Sequence, residues 1–162
     1  MFAPIAPREG MAVAAPRDAW RLLTVWQQYR RFIEDVPRGA APLLADHHMH
    51  AWAAEYLASD PESVSRSPHA VKTPNGPAAD IATVWSSGVA GYDLEAIRCP
   101  VQVVRGEWDS LCDDRDARRL LGALGSTVKQ DRKLARGTHL MHLEENRGAL
   151  HAACIDFLRA PM

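Results

Sequence analysis

The chain lacks the paired cysteines that zinc ribbons and thioredoxin-type redox sites need. Its three cysteines, Cys99, Cys112 and Cys154, lie far apart, with no CxxC spacing. An odd, scattered count points to reduced thiols and a cytoplasmic protein. Long hydrophobic runs are missing too. No stretch approaches the ~20 apolar residues of a membrane span, so no membrane partner is expected. The opening MFAPIAPREG has two prolines and no apolar h-region, unlike a signal peptide. Nor is there an excess of one charge. With 19 basic and 20 acidic residues the formal net charge is -1, and the signs are interleaved. That balance argues against nucleic acid as a partner. Repeats and low-complexity tracts are also absent.

What is present is an ordinary globular balance. The 162 residues are 47% hydrophobic and 24% charged, enough for one domain with a real core. The chain divides in two. Residues 1–91 read as helical and aromatic-rich, and residues 92–162 as β-α-β-α. The first 16 residues are rich in Ala and Pro, with FAPIAP as a short strand-compatible stub. Asp18 to Asp35 predicts a helix, with Asp18 as N-cap and Leu22, Trp26, Tyr29 and Ile33 in one stripe. Pro37 and Gly39 end it. Asp46 to Ser59 predicts a second helix, with Met49, Trp52 and Tyr56 on one face. Residues 61–78 read as loop, with a turn at Asn75-Gly76. Ala79 to Ser87 reads as a short helix with Ile81, Val84 and Trp85 on one side.

Beyond Tyr92 the pattern changes. Val101-Gln102-Val103-Val104, bounded by Pro100 and Gly106, is a strand signal. Asp113 caps a helix running to about Leu124, with Ala117, Leu120 and Leu121 inward. Thr127 to Leu134 predicts a second strand, and Glu144 to Leu158 a last helix, with Leu150, Cys154 and Phe157 inward. A strand-helix-strand unit of this length implies a parallel pair with a right-handed crossover. Two parallel strands alone leave both edges open. The expectation is that another chain, or more of a longer polypeptide, completes the sheet.

Two βα turns carry the chemistry. Gly106-Glu107-Trp108-Asp109 follows the first strand, and Gly137-Thr138-His139 follows the second. Both fall on the rim where α/β sheets bind ligands. An acid that orients an imidazole, and an imidazole that shuttles a proton, is the chemistry this pair suggests. Glu107, Asp113, Asp114 and Asp116 read as helix-start acids serving the dipole. The run Asp46-His47-His48-Met49-His50 could suggest a metal site. Neighbouring helical residues point in different directions, however, so no metal is expected.

These residues carry a resemblance. YDLEAIRCPVQVVRGEWDSLCDDRDARRLLGAL and KLARGTHLMHLEENRGALHAACIDFL resemble the C-terminal segment of α/β-hydrolase-fold enzymes. The shared pattern is an I-x-x-P-V strand ending in G-x-x-D, then G-x-H, an apolar residue and often Glu. Gly106, Asp109, Gly137, His139 and Glu144 fall on it. The resemblance covers about residues 92–160, and the order acid then histidine is the family's. It implies an α/β fold: a C-terminal β-α-β-α part of the sheet preceded by a helical lid. Residues 1–9 would be the end of a core strand and a loop, 10–91 the lid, and 92–162 the core segment. Asp109 would be the catalytic acid and His139 the catalytic base of esterase-like or lipase-like hydrolysis of a small-molecule ester, with no cofactor. His142 is the rival histidine, and more naturally packs near the helix start.

Trp20, Tyr29 and Tyr56 read as lid packing, while Trp26, Trp52, Trp85 and Trp108 are candidates for lining a substrate pocket. The family's nucleophile sits on a G-x-S-x-G elbow, and these 162 residues hold none. Ser86-Ser87-Gly88 lacks the preceding glycine. A dyad alone cannot form an acyl-enzyme. The expectation is therefore a fragment that is inactive on its own. The alternatives are a truncated or binding module that keeps the lid pocket, or part of an Asp-nucleophile dehalogenase or epoxide hydrolase.

Overall fold

A computed structural model describes residues 1, 8, 14–88 and 91–160. The FAPIA stub, read as the end of a core strand, lies outside the described residues.

The second part of the chain follows its sequence pattern closely. Strand β3 (Val101–Gly106) pairs in parallel with β4 (Lys129–Leu134), in a register that sets Val101 opposite Lys129 and Gly106 opposite Leu134. Every residue of β3 is buried, whereas β4 is exposed up to Leu134. Helix α4 (Asp114–Ala123) joins them and helix α5 (Arg147–Arg159) follows β4. Asp113 caps α4 by accepting from the amides of Arg115 and Asp116 at 2.8 and 2.9 Å. The Asp116 carboxylate in turn accepts from the Asp113 amide, closing a reciprocal box. The core on the α5 face is Val104, Leu134, Met141, Leu150 and Ala153, with Cys154 packed against it.

Arg105 is the unexpected core residue, only 4% exposed. Its fork meets the Asp131 carboxylate across the strands at 2.9 and 2.8 Å, and Asp114 at the start of α4 at 2.6 Å. A buried charge is tolerable only when paired this fully. The pairing raises the Arg105 pKa.

The other edge of β3 is not bare. The Met1 nitrogen donates to the Gln102 carbonyl at 2.5 Å, and the Val104 amide donates to the Met1 carbonyl at 2.8 Å. This is the hydrogen-bond pattern of one residue paired in parallel with Val103.

The first part departs from the helical reading. The chain from Trp20 to Thr24 is a strand, β1, and Ala70–Pro74 is a second, β2. They pair antiparallel, with Leu22 opposite Lys72. The expected helix starts later, as α1 (Val25–Ile33). Its N-cap is Thr24, not Asp18. The Thr24 hydroxyl accepts from the Gln27 amide at 3.2 Å, and the Gln27 side chain accepts from the Thr24 amide at 2.8 Å. Pairing with a strand some fifty positions away outweighs the local helical stripe. The inner face of the ribbon is held from helix α2 (Asp46–Ala58). There the Tyr56 hydroxyl donates to the Leu23 carbonyl at 3.2 Å and lies 3.2 Å from the Thr73 hydroxyl. Trp20 and Leu22 point outward, each 45% exposed, with the Lys72 ammonium 4.4 Å from the Trp20 ring centre.

Residues 61–78 are likewise more than a loop. They hold a single 3₁₀ turn (Ser63–Ser65) and β2. Arg66 staples this segment, reaching Asp60, Glu62 and the Ala70 carbonyl, each at 2.7 Å. The Lys72 amide and Arg66 hold the Asp60 carboxyl down to about 2. Helix α3 (Gly76–Ser87) begins three residues before its expected start, with Pro77 in its first turn, where the missing N–H costs nothing.

The two parts meet at the turn after β4. Phe32, Leu44 and Met49 form a cluster joined by Trp52, Leu140 and Leu143, and the Glu145 amide donates to the Leu43 carbonyl at 2.9 Å.

Candidate active site

The site is set by two backbones that touch. A Cβ on Gly106 would stand 2.1 Å from the Gly137 carbonyl oxygen and 2.9 Å from that of Thr138. Only glycine lets the end of β3 approach the turn after β4 this closely. The contact is stitched by hydrogen bonds. The Trp108 amide donates to the Gly137 carbonyl at 2.9 Å, and the Glu107 amide to the Leu134 carbonyl at 2.8 Å. The Glu107 carboxylate accepts from the Arg136 amide at 2.9 Å. Arg136 itself takes a left-handed φ of 56°, which redirects the chain into Gly137.

This approach delivers Asp109 and His139 to each other. His139 Nδ1 lies 3.1 Å from Asp109 Oδ1 and 3.2 Å from Oδ2. The Asp109 side chain is fully buried and that of His139 is 20% exposed. The amides of Leu111 and Cys112 both donate to Asp109 Oδ1 at 2.9 Å. The carboxylate is therefore held by two fixed donors before the imidazole is counted. With Nδ1 engaged by Asp109, Nε2 is the ring nitrogen left open. Among the described residues it makes no hydrogen bond.

Three neighbours complete the surroundings. Thr138, 1% exposed, donates from its hydroxyl to Glu144 Oε1 at 2.5 Å and from its amide to Oε2 at 3.3 Å. The Leu140 amide donates back to the Thr138 hydroxyl at 3.0 Å, so His139 sits between two anchored residues. Burial raises the Glu144 carboxyl above its ordinary value, against the Thr138 hydrogen bonds, with the charge of Asp35 adding to it. Burial, and then the Asp109 charge, push the Cys112 thiol up to about 12. Partial burial, and then His139, hold the His142 imidazole below its usual value.

No family model and no curated protein matches the chain. Among the solved structures that resemble it are two of lipolytic enzymes. One is described as LipS and LipT, two metagenome-derived lipolytic enzymes. It is 18% identical, with a TM-score of 0.43 over 54% of this chain and 35% of that one. The other is a monoacylglycerol lipase from Paleococcus ferrophilus, 14% identical, with a TM-score of 0.49 over 97% of this chain and 56% of that one. The chain spans about a third and about half of their lengths.

The remaining candidates are spread out. Trp108 adjoins Asp109, with the Arg136 guanidinium 6.0 Å from its ring. Trp52 packs edge-on against Phe32 at 4.6 Å and flat on Tyr56 at 4.7 Å, in the cluster that reaches Leu140. Trp26 is 63% exposed and stacks on Tyr29 at 5.7 Å. Trp85 is buried, with the Arg8 guanidinium 5.2 Å from its ring. The geometry thus brings Asp109 and His139 together, sets the Trp108 ring beside Arg136, brings Trp52 to the adjoining turn, and leaves Trp26 on the surface. In the histidine run the rings of His47 and His48 lie 4.0 Å apart. Among the described residues no group of three His, Cys, Asp or Glu side chains is arranged to hold a metal.

Sequence places Glu144 on the shared pattern but does not pair it with Thr138, nor does it point to the Leu111 and Cys112 amides. Aspartate side chains commonly accept from backbone amides two residues on, which is the only sequence hint of the Asp109 turn.

Proposed function

We propose that Asp109 and His139 are the acid and base of an α/β-hydrolase that cleaves small-molecule esters in the cytoplasm. In this reading residues 10–91 form its lid and residues 92–162 its C-terminal catalytic segment. The observation that carries the reading is the His139 Nδ1–Asp109 contact at 3.1 Å, with Asp109 fixed by two amides. An imidazole so held accepts a proton at Nε2 from an attacking hydroxyl and returns it to the leaving alkoxide. The buried aspartate keeps the tautomer and stabilises the imidazolium. The nucleophile, a serine, comes from a segment that completes the sheet beside β3.

The side of β3 away from β4, where Met1 pairs with Val103, supports that last step. Beside Met1 and β3 lies an apolar cleft of about 360 Å³, lined by Ile97, Val101, Cys154 and Leu158. On α5, Leu158 is 74% exposed and Ile155 44%. Three free thiols suit a reducing compartment. Trp52 and Trp108 are the aromatic residues best placed to meet an acyl group.

The test is covalent capture. The native polypeptide from its source cell is treated with a fluorophosphonate, and its intact mass is measured. The reading expects a single adduct on a serine, on a polypeptide or complex heavier than 17.9 kDa, lost in His139→Ala. No adduct, together with turnover of a haloalkane or epoxide, would move the nucleophile to a carboxylate. No adduct and no turnover of any of these would leave a binding module.

A further inference from the structure

Asp109 must be held still to orient His139, yet it sits on a loop between β3 and α4. Its own two amide donors, Leu111 and Cys112, belong to that same loop. The Trp108 bond to the Gly137 carbonyl and the Asp114 ion pairs to Arg105 and Lys133 hold the loop on either side of Ser110, but among the described residues none of them reaches Ser110 itself. One side chain reaches in from more than a hundred residues away. Arg8 donates from one terminal nitrogen to the Ser110 carbonyl at 2.9 Å, the residue directly after Asp109. Its Nε donates to the Asp116 carboxylate at 3.1 and 3.0 Å, and the same terminal nitrogen also meets Asp116. The Asp116 side chain is 4% exposed and that of Arg8 17%. Asp116 is also the residue that closes the cap of α4 onto Asp113. The guanidinium therefore spans both ends of the segment 110–116, one terminal nitrogen meeting both while Nε fixes its plane on the Asp116 carboxylate. On its other side the guanidinium lies over Trp85 of α3, 5.2 Å from the ring, so the clamp is backed by the first part of the chain.

We propose that Arg8 is a positioning residue for Asp109, clamping the acid loop from outside and tying its geometry to Trp85 of α3. The catalytic meaning of this clamp rests on the hydrolase reading; the clamp itself does not. When the fork engages Ser110 and Asp116 together, the Leu111 and Cys112 amides face Asp109 and the carboxylate faces His139. Without it, segment 110–116 is left with its own cap and the Asp114 ion pairs to Arg105 and Lys133.

The experiment is amide hydrogen exchange on the full chain, comparing wild type, Arg8→Met, Arg8→Lys and Arg119→Met. Arg119 is the control, because it bonds the Gly88 carbonyl from the same helix without touching the acid loop. In Arg8→Met the Leu111 and Cys112 amides should exchange about tenfold faster or more, while the β3–β4 amides stay at wild-type rates. Arg8→Lys keeps the charge but loses the Nε bonds to Asp116, so it should give a smaller rise confined to the same two amides. Arg119→Met should change neither. Unchanged exchange at Leu111 and Cys112 in a folded Arg8 variant would overturn the proposal. So would a rise spread evenly over β3 and β4, which marks general loss of stability. If Arg8→Met does not fold, Arg8→Lys alone decides by the same criterion. Neither readout involves turnover, so failure of the clamp and failure of the hydrolase reading are told apart.

Discussion

Replacing Gly106 with alanine tests how the two turns are joined. The new methyl would lie 2.1 Å from the Gly137 carbonyl oxygen and 2.4 Å from its carbon, both backbone atoms. No rotamer change relieves that, so the end of β3 and the turn after β4 must part. Overpacking against fixed atoms costs about 1–3 kcal/mol. Parting the turns also strains the 2.9 Å bond from the Trp108 amide to the Gly137 carbonyl, worth about 1 kcal/mol. A loss of about 2–4 kcal/mol is expected, read from urea unfolding. The proper comparison is Gly122→Ala on α4, where a Cβ meets nothing within 4 Å. There the gain in helix propensity should stabilise the protein by about 0.5–1 kcal/mol. The local signature should accompany the loss: the His139–Asp109 contact at 3.1 Å should weaken, seen as loss of the low-field Nδ1 proton in the NMR spectrum. If Gly106→Ala is as stable as wild type and keeps that proton, the close approach of the turns is not what brings acid and histidine together.

Glu144 should leave a pH signature. Burial raises its folded carboxyl above an unfolded value of about 4.3, so the native state binds that proton more tightly. Its contribution to stability is full below the unfolded value and is lost as pH rises through the raised folded value. The urea midpoint of wild type minus that of Glu144→Gln should therefore decline on going from about pH 4 to about pH 7; a rising difference would refute the burial argument. The thiols should separate by reactivity. Cys112, buried and pushed up to about 12, should stay unlabelled by iodoacetamide at pH 8 in the native protein, while exposed Cys99 is alkylated; peptide mass mapping reads both. The Arg66 staple predicts that Asp60→Ala strips protection from the Lys72 amide, which donates to Asp60 at 2.8 Å, and hydrogen exchange would show it.

The legible part of this molecule is the part built from local signals. The β-branched run at Val101–Val104, the Asp113 cap and the apolar positions of α4 and α5 all specify their elements within a few residues. The placement of Asp109 and His139 followed from two turns at the same rim. What could not be read is what depends on distant partners. Trp20 to Thr24 carries a helical stripe, yet it pairs with Ala70–Pro74, and nothing near either segment announces the other. The Thr24–Gln27 capping box was present in the sequence and outranks Asp18, because it satisfies two backbone groups at once. Arg8 is the extreme case. It is one arginine in a proline-rich stretch, and its partners lie 102 and 108 residues away.

The most direct test of the account is ester hydrolysis by the native polypeptide from its source cell, with wild type and His139→Ala measured side by side on a short-chain p-nitrophenyl ester. If Asp109 and His139 serve a nucleophile supplied by a segment beside β3, wild type turns over and His139→Ala loses rate by about 10³-fold or more. The 162-residue chain alone should then show no rate above its own His139→Ala control. Equal rates for wild type and variant in the native polypeptide would contradict the central claim, because the histidine would then take no part in the chemistry.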